Sequence, residues 1–215
     1  MPEFDQDYWR QHWREAGADR QRGGSAPNPY IVGETEGSTP GTALDAGCGT
    51  GAEAVWLASR GWHVTAADIS PEALARAAER AASTEAADRV RWVEADLTTW
   101  APDARFDLVT THYAHPSMPQ IAFYDRISGW VAPGGTLLIV GHLHTPHATE
   151  HQHGHGHGHG HGHQPPAEAS ATLADITAIL DDAEWQVVTA EERTRTVEGR
   201  AAPLHDVVVR ATRRR

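Results

Sequence analysis

Between residues 42 and 142 short apolar runs alternate with longer amphipathic stretches. TALDA (42–46), HVTAAD (63–68), VRWVEAD (90–96), RFDLVTTH (105–112) and GGTLLIVGH (134–142), the last after the turn APGG, read as strands. Between them GAEAVWLASRG (51–61), closed by Gly61, SPEALARAAERAAS (70–83) and MPQIAFYDRISGWV (118–131) read as helices. Ser70 stands at an N-cap position and Pro71 at the first helical position. Further on, ASATLADITAILDDA (169–183) predicts a helix, and WQVVTAEE (185–192) and LHDVVVRAT (204–212) predict two strands whose short link favours antiparallel pairing. Ahead of this, residues 5–16 place Tyr8, Trp9, His12 and Trp13 at helical spacing, and 17–41 form a Gly-, Pro- and Ser-rich connector with a short helical turn at NPYIVGE (28–34). The alternation predicts an α/β chain: a seven-stranded, mostly parallel sheet with helices on both faces and an antiparallel last strand. The organisation expected is residues 1–41 as helix and connector, a candidate lid, and 42–215 as one domain with a His/Gly-rich insertion at 142–168.

Within this frame the stretch LDAGCGTGA (44–52) is where chemistry is expected. A strand ends at Asp45, and Gly47, Gly49 and Gly51 lead into a helix whose free N–H groups face whatever binds there. Ligands of such folds sit at the carboxyl ends of the strands. Gly47, Gly49 and Ala52 also satisfy the dinucleotide pattern G-x-G-x-x-G/A, and Asp68 ends the second strand where a ribose-binding acid belongs in either case. Asp45 is placed to orient the loop or reach an ammonium group. Asp96, ending the third strand, offers an acceptor to an exocyclic amine. The closing antiparallel pair leaves no room for the separate substrate domain of a dehydrogenase.

LDAGCGTG, VTAADIS, VEADL, FDLVTTH and APGGTLLIV follow one another as in the class I S-adenosylmethionine-dependent methyltransferases, which the chain resembles over residues 40–141 and the final strand pair. The resemblance implies a Rossmann-like fold and methyl transfer from S-adenosylmethionine to a small-molecule acceptor. It also implies a cofactor site of Asp45, Gly47, Gly49, Gly51, Asp68, Ile69, Asp96, Leu97 and Thr111. In that family the glycine loop cradles the methionine portion, the acid of strand two binds the ribose hydroxyls, and the acid of strand three binds the adenine amine. The residue types agree, because a sulfonium cation tolerates nearby carboxylates that would repel a pyrophosphate. Small bacterial enzymes of tellurite-resistance and thiopurine type share the layout, as do quinone methyltransferases, and the layout does not choose among them.

The acceptor side is expected at THYAHPSM (111–118). It lacks the Asn-Pro-Pro-Tyr pattern of enzymes acting on nucleic-acid or protein amide nitrogens. His112, Tyr113 and His115 are the candidate catalytic or substrate-contacting residues, and either imidazole could act as a base. A soft nucleophile such as a thiol would need none. Cys48 is the only cysteine, in the glycine loop where a small side chain fits.

The charge of −11 argues against nucleic acid or an anionic membrane as main partner, although protonating all 15 histidines would bring it to +4. There is no signal-peptide core and no apolar span of membrane length, so a cytoplasmic location is expected. Residues 151–163, HQHGHGHGHGHGH, add His151, His153, His155, His157, His159, His161 and His163 as candidate ligands for Zn, Ni, Co or Cu. Side chains at i and i+2 of an extended chain stand about 6.6 Å apart, so the glycines would have to fold around an ion. This is unlike a fixed catalytic metal site. A metal-sequestering or metal-sensing protein on the same fold therefore stands as the alternative function.

Overall fold

A computed structural model describes residues 4–15, 26–143, 171–196 and 203–215. The elements in chain order begin with α1 Gln6–Glu15, α2 Pro29–Glu34, β1 Thr42–Ala46, α3 Ala52–Ser59, β2 His63–Asp68 and α4 Pro71–Ala82. They continue with β3 Val90–Glu94, β4 Phe106–His112, α5 Gln120–Ser128, β5 Val131–His142, α6 Leu173–Ala178, β6 Trp185–Arg195 and β7 Leu204–Arg213. The strands lie in the order β3-β2-β1-β4-β5-β7-β6. The first five pair in parallel, and β7 runs antiparallel between β5 and β6. The expected architecture is therefore present.

Alternate residues of each central strand leave opposite faces of the sheet, so both faces need apolar side chains. Leu44, Val109, Leu137 and Ile139 pack with Phe123 and Ile127 on one side. On the other, Leu108, Leu138 and Val140 pack with Ile31, Leu57 and Leu74. At the head of α4 the Ser70 hydroxyl accepts a bond from the Ala73 N–H, as an N-cap should.

Three boundaries differ from the sequence expectation. The helix expected to reach Val131 stops at Ser128, because Trp130 turns back and its carbonyl accepts the Phe106 N–H. Val131 is then already opposite Phe106, so β5 begins three residues before the expected strand and takes in APGG, with a shift of register between Phe106 and Leu108. The long helix expected over 169–183 is only α6, opened by a capping box in which Thr172 and Asp175 exchange bonds. It closes early because the Asp181 carboxylate accepts the Ala183 N–H, turning the chain into β6. His142, counted with the histidine segment, is the last residue of β5 and stands opposite Asp206. His144, His147 and the tract 151–163 lie outside the described residues. Among the described residues no helix is long and apolar enough to cross a membrane.

Strand order reverses between β1 and β4, and the loops leaving these two strands diverge and open a crevice at their carboxyl ends.

Candidate active site

That crevice is a cavity of about 320 Å³. Gly47, Cys48 and Gly49 enter it from the loop after β1, Asp68 and Ile69 from β2, Asp96 and Leu97 from the end of β3, and residues 112–117 from β4. Phe4, Trp9 and Trp13 close it from the N-terminal segment.

Asp68 ties two of these walls together. Its Oδ2 accepts the Gly49 N–H at 2.8 Å and its Oδ1 accepts the Ser70 N–H at 2.9 Å. Burial pushes its carboxyl up from the ordinary range, against the pull of these N–H donors. Each oxygen keeps a second lone pair for a hydroxyl. Asp96 is bound into its own turn: Oδ1 accepts the Thr98 N–H at 2.8 Å and the Thr98 hydroxyl at 2.7 Å. Oδ2 is the oxygen left for a ligand. Arg126 of α5 locks the same turn, donating from Nε to the Leu97 carbonyl and from Nη2 to the Trp100 carbonyl, both at 2.9 Å. Replacing Arg126 by alanine strips both carbonyls of a charged donor, and we expect a loss of about 2 kcal/mol. A urea titration would show this as a lower midpoint with an unchanged slope; an unmoved midpoint would mean that Asp96 and Thr98 hold the turn unaided.

The glycines have separate reasons. Gly47 has φ +80°, and any Cβ there would collide with the Ala114 methyl, so the loop after β4 lies directly against bare backbone. Gly51, at φ +74°, is not in the cavity wall; a Cβ there would meet Trp92 at 2.6 Å and Ala77 at 2.9 Å, so it serves the packing of α3.

Two other expected cofactor residues also stand behind the wall. Thr111 is buried and donates its hydroxyl to the Ala46 carbonyl at 2.8 Å, stitching β4 to β1. Asp45 is 1% exposed, with Oδ2 unpartnered. Burial, then the charges of Glu53 and Asp68, push its carboxyl well above the ordinary range. It lies behind the cavity lining rather than in it.

His112, Tyr113 and His115 all face the cavity, in different states. Burial lowers the His112 pKa against the opposing charge of Glu53. Its Nδ1 lies 3.4 Å from the Thr110 hydroxyl, and its buried Nε2 has no protein partner. Tyr113 has φ +56°, an uncommon backbone state for a bulky residue. Its hydroxyl accepts from Arg195 at 2.9 Å and Asn28 at 3.1 Å, and its ring stacks on His142 at 4.2 Å. Burial raises the pKa of its phenol further above the ordinary value, and the two donors hold the hydroxyl in place. Burial pushes His115 down to about 4. The Gln120 amide donates to the Ala114 carbonyl at 3.0 Å, which turns its oxygen toward His115 Nδ1 at 3.4 Å. The proton is therefore on Nδ1 and the lone pair on Nε2.

Helix α1 lies across this opening. Trp9 donates its indole N–H to the His115 carbonyl at 3.3 Å, Gln6 donates to the Ile69 carbonyl at 3.3 Å, and Arg14 pairs with Glu72 of α4 at 2.9 Å. Tyr8 lies edge-on to the Trp9 ring and is not in the cavity wall. Sequence reasoning missed Phe4, Glu53, Arg126 and Arg195. Glu53 reads only as an acid in the first turn of a helix, where the dipole favours one anyway. Among the described residues no group of three or more side chains could hold a metal ion, and the histidine tract lies outside them.

Residues 43–135 match a family model described as a methyltransferase domain. An uncharacterised methyltransferase of Mycobacterium tuberculosis is 41% identical over 99 residues, 45% of this chain and 48% of that protein. "Probable thiol methyltransferase 2" of Arabidopsis thaliana is 34% identical over 143 residues, 64% of this chain and 62% of that protein. The chain thus matches only part of the length of these curated relatives. In fold it is similar to the magnesium protoporphyrin IX methyltransferase of Synechocystis PCC 6803 with bound SAH, with a TM-score of 0.67 at 18% identity over 97% of this chain and 99% of that one.

Proposed function

We propose, from the premise that residues 43–135 are a class I methyltransferase domain, that the protein moves the methyl group of S-adenosylmethionine to a small soft nucleophile, best a thiol. One observation supports this above the others: Asp68, Asp96 and the glycine loop converge on one cavity. Asp68 would take the ribose hydroxyls, Oδ2 of Asp96 the adenine amine, and Gly47 and Gly49 the sulfur-bearing chain. Ile69 and Leu97 would cover the base. When bound, the sulfonium supplies an electrophilic methyl carbon and departs as a neutral thioether.

The acceptor side argues for the rest. A volume of about 320 Å³ is at the low end for ligand sites, roughly 300–1,000 Å³. The cofactor would fill most of it, and the acceptor must be small. A general base works best with a pKa near the operating pH. His115, held down to about 4, is too weak to deprotonate an alcohol. A thiol with a pKa of about 8.5 supplies its own thiolate, having lost its proton to water. The thiolate enters beside His115, and α1 would shield the reaction from solvent. The thiol-directed name of the Arabidopsis relative supports the same class. The net charge of −11 disfavours a polyanionic acceptor.

The test is release of S-adenosylhomocysteine with a panel of thiols, phenols, quinones and chalcogen oxyanions. With a thiol the expected kcat/KM rises tenfold per pH unit up to the thiol pKa, with no inflection near neutrality from an enzyme base. Turnover confined to phenols or quinones would overturn the acceptor class. Failure to bind the cofactor would overturn the whole reading.

A further inference from the structure

The amino-acid tail of the proposed cofactor carries an ammonium group, and the acid expected to meet it, Asp45, is sealed behind the cavity wall with its carboxyl pushed toward the protonated form. Another carboxylate takes its place in the lining. Glu53 sits in the first turn of α3, two residues past Gly51, and faces the cavity. Its Oε1 accepts the Asn28 N–H at 2.9 Å, which fixes the side chain from the outside. Near enough to feel its charge is His112, also in the lining, whose buried Nε2 has no partner in the protein. With its proton on Nδ1, toward the Thr110 hydroxyl, His112 would carry its lone pair on Nε2, the atom without a partner. A buried acceptor left without a donor is uncommon, and it points to a ligand that brings one.

We infer that Glu53, assisted by His112 Nε2, receives the α-ammonium group of the cofactor's amino-acid tail. The inference rests on the proposed cofactor. An ammonium has three donors and no acceptor. One carboxylate oxygen, one imidazole lone pair and solvent or a loop carbonyl would satisfy it. The cation also offsets the negative charge of Glu53 and Asp68, both of which act on Asp45. Glu53 thus discriminates at the tail of the ligand, whereas Asp68 and Asp96 discriminate at the nucleoside.

The experiment compares three ligands by calorimetry on the full chain: S-adenosylhomocysteine, 5′-methylthioadenosine, which lacks the tail, and S-adenosyl-4-mercaptobutyrate, which keeps the chain length and the carboxylate and lacks the amine. Glu53→Gln preserves an oxygen for the Asn28 N–H and removes only the charge. S-adenosylhomocysteine should bind this variant roughly 10- to 100-fold more weakly, the range for a lost bond to a charged group. The two ligands without the amine should change by no more than about twofold, and their binding shows that the variant is folded. Equal weakening of all three ligands, or loss of methylthioadenosine binding, would make Glu53 a structural residue and overturn the inference. Unchanged binding of S-adenosylhomocysteine would overturn it as well. If the unaltered chain binds none of the three, it is the cofactor assignment that fails.

Discussion

Asp68→Ala is expected to bind S-adenosylhomocysteine roughly 100- to 1,000-fold more weakly than the unaltered protein, because two bonds from ligand hydroxyls to a carboxylate are worth about 1.5–3 kcal/mol each and water recovers part of the loss. The substitution also removes the acceptor of the Gly49 and Ser70 N–H groups, so the glycine loop and the head of α4 lose their common tie. The position of the carboxyl pKa adds a second signature. Burial raises it above that of a free aspartate, although the N–H donors oppose the shift. A raised pKa means that the proton returns at a higher pH than usual. Affinity should therefore fall on acidification earlier than an ordinary aspartate would allow, and the alanine variant should lack that fall. Calorimetric titration at several pH values measures both effects. Binding within about threefold of the unaltered protein would remove Asp68 from the ribose site, since even one charged hydrogen bond is worth more.

The sheet was legible in the sequence because strands buried on both faces leave nearly continuous apolar runs such as LLIV in β5 and VVV in β7. The ends were less so. Val131 is drawn into β5 by pairing with Phe106, a contact 25 residues away by number, whereas the local signal of Pro133, Gly134 and Gly135 is that of a turn. The candidate site divides along the same line. Gly47, Gly49, Asp68 and Asp96 belong to a local pattern at strand ends, and they do converge. Asp45 and Thr111 share that pattern yet face inward, because successive side chains at a strand end leave opposite faces and sequence alone does not say which. Arg195 and Arg126 reach the site from 82 and 29 residues away. A surface-like arginine in a charged strand such as EERTR carries no mark of such a partner.

The partner of Arg195 is where the largest effect on stability is expected. Asp206 is fully buried in β7. Its Oδ2 accepts from Arg195 Nε at 2.6 Å and from the Tyr30 hydroxyl at 3.2 Å, and its Oδ1 faces His142 Nδ1 at 3.5 Å. Arg195 in turn donates to the Tyr113 hydroxyl, so this carboxylate stands behind the one non-glycine residue with positive φ among those described. Asp206→Asn keeps the size and leaves the guanidinium without its counter-charge. Removing one member of a buried pair costs about 3–5 kcal/mol, and because Arg195 is partly open to water the lower end is expected. At about 2–4 °C per kcal/mol for a chain of this size, the melting temperature should drop by roughly 6–12 °C. Burial raises the Asp206 pKa, but the bonds from His142 and Arg195 outweigh it and the net shift is downward. A depressed folded pKa stabilises above the unfolded value, about 3.9, and the gain disappears as pH falls through the folded value. The gap between the two proteins should therefore still be open at pH 5 and be lost only below about pH 4. Denaturant titrations at pH 7, 5 and 3 test this: a gap that closes already at pH 5, or none at pH 7, would show that Arg195 and Tyr113 do not depend on the Asp206 charge.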